Sequence, residues 1–155
     1  MKFQSSDILF EDNHLIIVNK KCGVLVQGDK TGDTPLLELV KAYIKNKYNK
    51  TGNVFLGLVN RIDRPVSGIV IFARTSKALS RMNDKLKNRQ IRKLYWLFIS
   101  NNFKTNEGKI EGWFKKNKKI NKSFFSKEEV KDSKYGSLKY RIIEKLEKYL
   151  KIEVD

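Results

Sequence analysis

The 155-residue chain contains one cysteine, Cys22, and one histidine, His14. A lone cysteine excludes an internal disulfide and any cysteine-based metal cluster. With one histidine beside it, the inventory assembles neither a zinc site nor a serine–histidine triad. No apolar run approaches the roughly 20 residues of a membrane-spanning helix. The first six residues hold no apolar segment of a secretory leader. A cytoplasmic protein with no membrane partner is therefore expected, and no obligate protein partner is evident. Acids are also scarce: 17 Asp and Glu stand against 33 Lys and Arg, a formal charge of +16. Such an excess is the footprint of nucleic-acid binding, because cations that neutralise phosphates release counterions. Its compositional alternative is an AT-rich coding sequence, which favours Lys, Asn and Ile without selection for binding. What is present suffices for one folded domain over 1–155, with 40% hydrophobic residues and nine Phe.

The chain is organised around Asn60-Arg61-Ile62-Asp63-Arg64-Pro65-Val66-Ser67-Gly68. Apolar, β-branched-rich runs at 54–59 and 69–73 flank it and read as buried strands. Pro65 and Gly68 break the segment between them into a polar loop. Asp63 is thus a carboxylate on a loop between two core strands, a usual place for chemistry. From Lys41 to Lys93 there are fourteen Lys or Arg and two acids, Asp63 and Asp84, a local net of 14 − 2 = +12. That field favours the ionised carboxylate. The plainer alternative is a turn aspartate bonded to neighbouring backbone N–H groups.

Two short apolar runs, 8–10 and 15–18, read as a hairpin or consecutive strands about a turn that holds His14. Lys20 follows in Asn19-Lys20-Lys21-Cys22-Gly23, facing RNA or solvent, and Cys22 reads as an inert packing residue. Thr34 caps a helix with Pro35 at its first position, running to about residue 48. Its Lys41, Lys45 and Lys47 are available to phosphate or to solvent. Thr75-Ser76 caps a second helix over 77–88, after which the sequence is strongly basic. Strands are expected at 91–100, 109–114 and about Ser123-Phe124-Phe125, the last inside an exposed Lys-rich stretch at 115–134. A polar loop is expected over 101–108. Residues 136–155 fit either a helical period or two strands, 137–144 and 149–154, about a turn at Glu147-Lys148.

The central stretch resembles the signature of the RluA-type RNA pseudouridine synthases, H-R-[LI]-D-x-x-[TS]-G followed by an apolar strand and A-[KR]-T. Here it stands as N-R-I-D-R-P-V-S-G-I-V-I-F-A-R-T, gapless, with Asn60 at the leading His. Asn19-Lys20-Lys21-Cys22-Gly23 is similar to the family's N-K-P-x-G, with Lys21 for the Pro, and Lys93-Leu94-Tyr95 matches its K-x-Y. The resemblance covers roughly 7–155 and favours the two-strand reading of the last twenty residues. It implies an α+β fold with a mixed, mainly antiparallel sheet and flanking helices. It implies detachment of uracil from C1′ of ribose, rotation of the base and re-attachment through carbon, with no cofactor and no metal. Asp63 then takes the catalytic carboxylate's place, as nucleophile at C1′ or as base at C2′. Arg61 takes that of the residue holding the flipped-out conformation. Tyr95 takes that of the ring stacked on the target base, where position alone reads it as a core strand aromatic.

The family's G-R-x-H-Q-I-R element, whose basic residue pairs with the catalytic Asp, has no counterpart before Asp155. The chain therefore looks like a family core incomplete on its C-terminal side. Two structural expectations follow. Val154 ends a strand at an open sheet edge. Arg61, Arg64 and Arg74 are the cations placed to stand near Asp63 instead. The function expected is isomerisation of uridines in structured ribosomal or transfer RNA. The alternative is an RNA-binding remnant without catalysis.

Overall fold

The computed structural model describes residues 3–102, 105–120 and 122–155. The first two positions of the leader reading, the middle of the polar loop expected at 101–108 and one position of the 115–134 stretch lie outside the described residues. The chain divides into two compact units, 1–91 and 92–155.

The first unit is built on a four-stranded antiparallel sheet of β1 (Ile8–Glu11), β2 (Leu15–Lys20), β3 (Gly57–Leu58) and β4 (Gly68–Ala73), in the order β1-β2-β4-β3. The pairing Ile16↔Phe72 and Val18↔Val70 sets one face of the sheet, and Leu15↔Ala73 and Ile17↔Ile71 the other. Helix α1 (Leu36–Lys47) covers the first face with Leu36, Val40 and Ile44, all buried. Helix α2 (Ser76–Lys87) sits on the second, with Leu79, Met82 and Leu86 against Val59, Ile71 and Ala73. Burying a side chain such as Phe72 in this layer is worth about 1.5–3 kcal/mol.

Both helices fall where their apolar spacing placed them, but they are capped differently. Thr75 Oγ1 accepts from the Ala78 N–H at 3.1 Å, as its residue type predicts. Thr34 does not cap α1. Pro35 holds the cap position, and the free N–H groups of Leu36 and Leu37 donate to the carbonyls of Leu25 and Val26 at 2.7 and 3.2 Å. The strand expected over 54–59 shrinks to β3, because Leu56 turns into the α1-side core.

The second unit is a five-stranded antiparallel sheet of β5 (Tyr95–Ser100), β6 (Glu107–Asn117), β7 (Lys122–Ser126), β8 (Lys134–Lys145) and β9 (Tyr149–Val154). Its order is β5-β9-β8-β6-β7. The last twenty residues are the two-strand form, with Ile142↔Ile152 and Tyr140↔Val154 in register. Val154 is buried inside the sheet and is no edge: β9 lies between β5 and β8, and the edges are β5 and β7. The core face carries Leu150, Ile152 and Val154 with Ile99, Leu138 and Ile142. All the pairings are antiparallel, and the α+β class stands.

Candidate active site

Residues 59–67 connect β3 to β4 at one end of the first sheet. The neck of this loop is closed by Asn60. Its amide donates to the Ile69 carbonyl at 3.1 Å and accepts from the Ile71 N–H at 2.8 Å. One side chain thereby continues the ladder that the two-residue β3 leaves short. At the other side of the neck Gly68 has φ +141, a backbone conformation that side chains rarely adopt.

Beneath the loop lies Lys20, at the end of β2 and opposite Gly68 in register. It faces neither RNA nor solvent, being 1% exposed. Its ammonium donates to the carbonyls of Val24 at 2.8 Å, Lys21 at 3.1 Å and Arg64 at 3.2 Å. Three N–H donors thus meet three acceptors. Burial pushes the Lys20 ammonium below its ordinary pKa, while Cys22 and Asp63 pull it the other way. Asp63 is therefore within electrostatic reach of this buried cation.

The same two segments are tied together three more times. The Gly23 N–H donates to the Arg64 carbonyl at 2.8 Å, and Arg64 Nε to the Gly23 carbonyl at 3.1 Å. Arg64 also pairs with Asp33 at 2.7 Å. The Cys22 thiol, exposed and not packed in a core, donates to the Pro65 carbonyl at 3.2 Å. The Val66 N–H closes a turn onto the Asp63 carbonyl at 3.1 Å.

Against this fixed backbone the Asp63 side chain is exposed. Among the described residues it accepts no hydrogen bond and joins no ion pair, so the turn-aspartate alternative is not what forms. None of the three arginines considered for it pairs with it either. Arg64 is held by Asp33, and Arg74 by Glu11 at 3.2 Å. Arg61 is exposed, two residues from Asp63, with no ion-pair partner among the described residues. The structure thus brings Arg61 and Asp63 together on one loop, with an unengaged carboxylate able to act as nucleophile or base.

Tyr95 belongs to the second unit. It opens β5 opposite Val154, so it shares the face of Leu97 and Ile99 and remains 42% exposed. Its hydroxyl has no hydrogen-bond partner among the described residues. Trp96 and Phe98 point to the other face, each 64% exposed. There Trp96 donates to Glu153 at 3.2 Å and lies under Lys151 at 4.4 Å. Among the described residues no three His, Cys, Asp or Glu side chains converge to hold a metal ion. No helix among them is long and apolar enough to cross a membrane.

Residues 14–155 match the family model described as RNA pseudouridylate synthase. The chain is 31% identical over 104 residues to an uncharacterized RNA pseudouridine synthase of Bacillus subtilis (strain 168), YhcT, covering 67% of this chain and 34% of that protein. It is 35% identical over 88 residues to ribosomal large subunit pseudouridine synthase C of Buchnera aphidicola subsp. Acyrthosiphon pisum (strain APS), covering 57% and 26%. It therefore spans about a quarter to a third of the length of these curated relatives. Human RNA pseudouridylate synthase domain containing 4 shares the fold, with a TM-score of 0.79 at 16% identity over 97% of this chain and 58% of that one.

Proposed function

This chain belongs to the RNA pseudouridylate synthase family, and on that footing we propose that it isomerises uridine to pseudouridine in structured ribosomal or transfer RNA in the cytoplasm. The observation that carries the reading is Asp63: an exposed carboxylate, unengaged among the described residues, on a loop whose backbone is pinned from below by Lys20 and at its neck by Asn60. A reacting group needs that combination, since a fixed backbone sets its position and a free carboxylate leaves its lone pairs to the substrate.

In this reading Asp63 attacks C1′ of the ribose as the bond from C1′ to N1 of uracil breaks and is itself displaced when C5 bonds to C1′, or it removes the proton at C2′ as that bond breaks and returns it as C5 bonds to C1′. The base turns, C5 bonds to C1′, the C5 proton leaves and N1 gains one, so the overall change is an isomerisation. The target base leaves its stack at a cost of a few kcal/mol. Arg61 holds the extruded conformation and Tyr95 gives the uracil a face to stack on. Both units serve one catalytic domain, as the family match across 14–155 supports.

A second reading, an RNA binder without turnover, is favoured by one observation: none of the arginines near Asp63 ion-pairs with it. The two separate on pseudouridine formation in a pool of unmodified ribosomal and transfer RNA, comparing the chain with Asp63→Ala. The catalytic reading expects product from the first and none from the second, with RNA affinity held within a few-fold. Absence of product from both, with RNA still bound, sinks it in favour of the binder.

A further inference from the structure

Helix α2 carries Lys77, Arg81 and Lys85 at i, i+4 and i+8, a single exposed stripe. Among the described residues none of the three has an ion-pair partner. The lysines of α1 differ, since Lys41 pairs with Glu38 and Lys47 with Glu11. A solvated helix face gains nothing from such a stripe: like charges at i, i+4 repel, and Lys77 stands in the first turn, where the helix dipole favours an acid and α2 has none. The other face of α2 is occupied by the sheet, through Leu79, Met82 and Leu86, so no apolar side is left to enter a lipid surface.

The end of α2 adds an independent observation. The Gln90 N–H donates to the Lys85 carbonyl at 2.8 Å and the Arg89 N–H to the Leu86 carbonyl at 3.1 Å. This is a Schellman closure with Arg89 at its left-handed position, φ +54. That position usually takes glycine, because a side chain there is strained. Here it carries an exposed cation instead, and strained positions of this kind mark functional surfaces.

The direction of α2 relates these cations to the site. The helix follows β4 after a two-residue link and lays Leu79 over Gly57, which pairs with Ala73. It must therefore run back along β4, past Ile71. Twelve helical residues span about 18 Å and six strand residues about 20 Å. The last turn, with Lys85, and Arg89 just beyond it thus reach the end of the sheet from which the Asp63 loop springs. Arg81 and Lys77 trail away from it.

We infer that the Lys77-Arg81-Lys85 stripe, with Arg89 just beyond its end, is a phosphate-binding surface for the RNA strand flanking the target uridine, outside the catalytic loop; this rests on the function proposed above. The test is binding of a structured RNA containing unpaired uridines across a salt series, with the 155-residue chain and two charge-matched variants. One variant is Lys77→Gln/Arg81→Gln/Lys85→Gln. The other is Lys118→Gln/Lys119→Gln/Lys131→Gln, exposed lysines of the second unit. Each phosphate left without its cation lowers the slope of log affinity against log salt by about 0.7–0.9. The α2 variant is expected to lose about 2 units of slope and at least tenfold in affinity, and the control less than half of that. Arg89→Gly is expected to raise the unfolding midpoint while weakening RNA binding.

Equal losses in the two triple variants, or an Arg89→Gly protein that binds as tightly as the parent, would overturn the inference and leave the proposed function standing. Preference of the parent for vesicles rich in anionic lipid over RNA at equal salt overturns it in favour of a membrane surface. A parent with no salt-dependent RNA affinity overturns both.

Discussion

Lys20 Nζ lies 3.2 Å from the carbonyl oxygen of Arg64, forty-four positions along the chain. That bond joins the end of β2 to the backbone one residue beyond Asp63. An ammonium is suited to the task because it is a compact charge with three donors, and here each donor meets a carbonyl.

Replacing Lys20 by Met keeps the stem's volume and leaves the carbonyls of Lys21, Val24 and Arg64 without their donor. The expected loss is about 3 kcal/mol of stability in urea unfolding. On the function proposed above, pseudouridine formation should fall mainly in kcat, since Asp63, Arg61 and Tyr95 remain. Arg at this position does not rescue, because its planar fork does not match three converging carbonyls.

Asn60→Ala removes both halves of the link to β4, and should cost about 1–3 kcal/mol for the unpaired N–H and carbonyl. Amide hydrogen exchange reads the effect locally: Ile71 should lose protection while Val70 and Phe72 keep theirs. Asn60→Asp preserves the acceptor for the Ile71 N–H, so its Ile71 protection should lie between the two. Unchanged exchange at Ile71 in the Ala variant would refute the role.

Glu11 is the charge centre at the opposite end of the sheet. It accepts from Tyr48 at 2.8 Å, Lys47 at 2.8 Å, Tyr43 at 3.1 Å and Arg74 at 3.2 Å. Burial pushes its carboxyl up, and the bonds from Lys47, Tyr48 and Tyr43 outweigh that and hold it below the ordinary 4.5. A depressed carboxyl contributes stability that is present above pH 4.5 and lost as the pH falls through the folded value. The gap in stability between the parent and Glu11→Gln should therefore be full at neutral pH, on the order of 1–2 kcal/mol. It should shrink on acidification below 4.5. A gap that stays constant into acid would contradict the assignment.

Gly112 in β6 leaves no room for a side chain, because an added Cβ would lie 2.4 Å from the Phe125 ring and 2.7 Å from the backbone oxygen of Ser126. The ring can turn, but the Ser126 carbonyl belongs to the paired strand and cannot yield without opening the β6–β7 ladder. Gly112→Ala should destabilise the second unit by about 1–3 kcal/mol, with exchange protection lost first in Phe125 and Ser126.

How much of this was legible in the sequence depends on the distance over which each feature is built. The Asp63 loop is contiguous, so its flanking strands, its breakers and its kinship could be read from nine residues and the strand that follows. The hairpin of β8 and β9 was undecided by periodicity, since Tyr140, Ile142, Ile143 and Leu146 satisfy a helix equally well, and the family resemblance settled it in the right direction. The seat of Lys20 was hidden, because a lysine beside another lysine carries no sign that three carbonyls, one of them 44 residues away, will surround it. The cap of α1 was misread for a related reason: Thr34-Pro35 is a local signal, and the carbonyls of Leu25 and Val26 overrode it from outside. Arg89 gave no signal at all, since an arginine after Asn88 does not announce a left-handed backbone.

Among the described residues the strand that carries Tyr95 has a single neighbour in its sheet, β9, whose residues come about fifty positions later. During synthesis β5 leaves the ribosome with nothing to pair with. At about 5–20 residues per second it waits on the order of 3–10 seconds for its partner to be made. Through that interval Trp96 and Phe98 and the strand's whole backbone are open to other chains. The seam that seats Tyr95 closes only once β9 has been made, which makes it a step where chaperone capture or misassembly competes with folding.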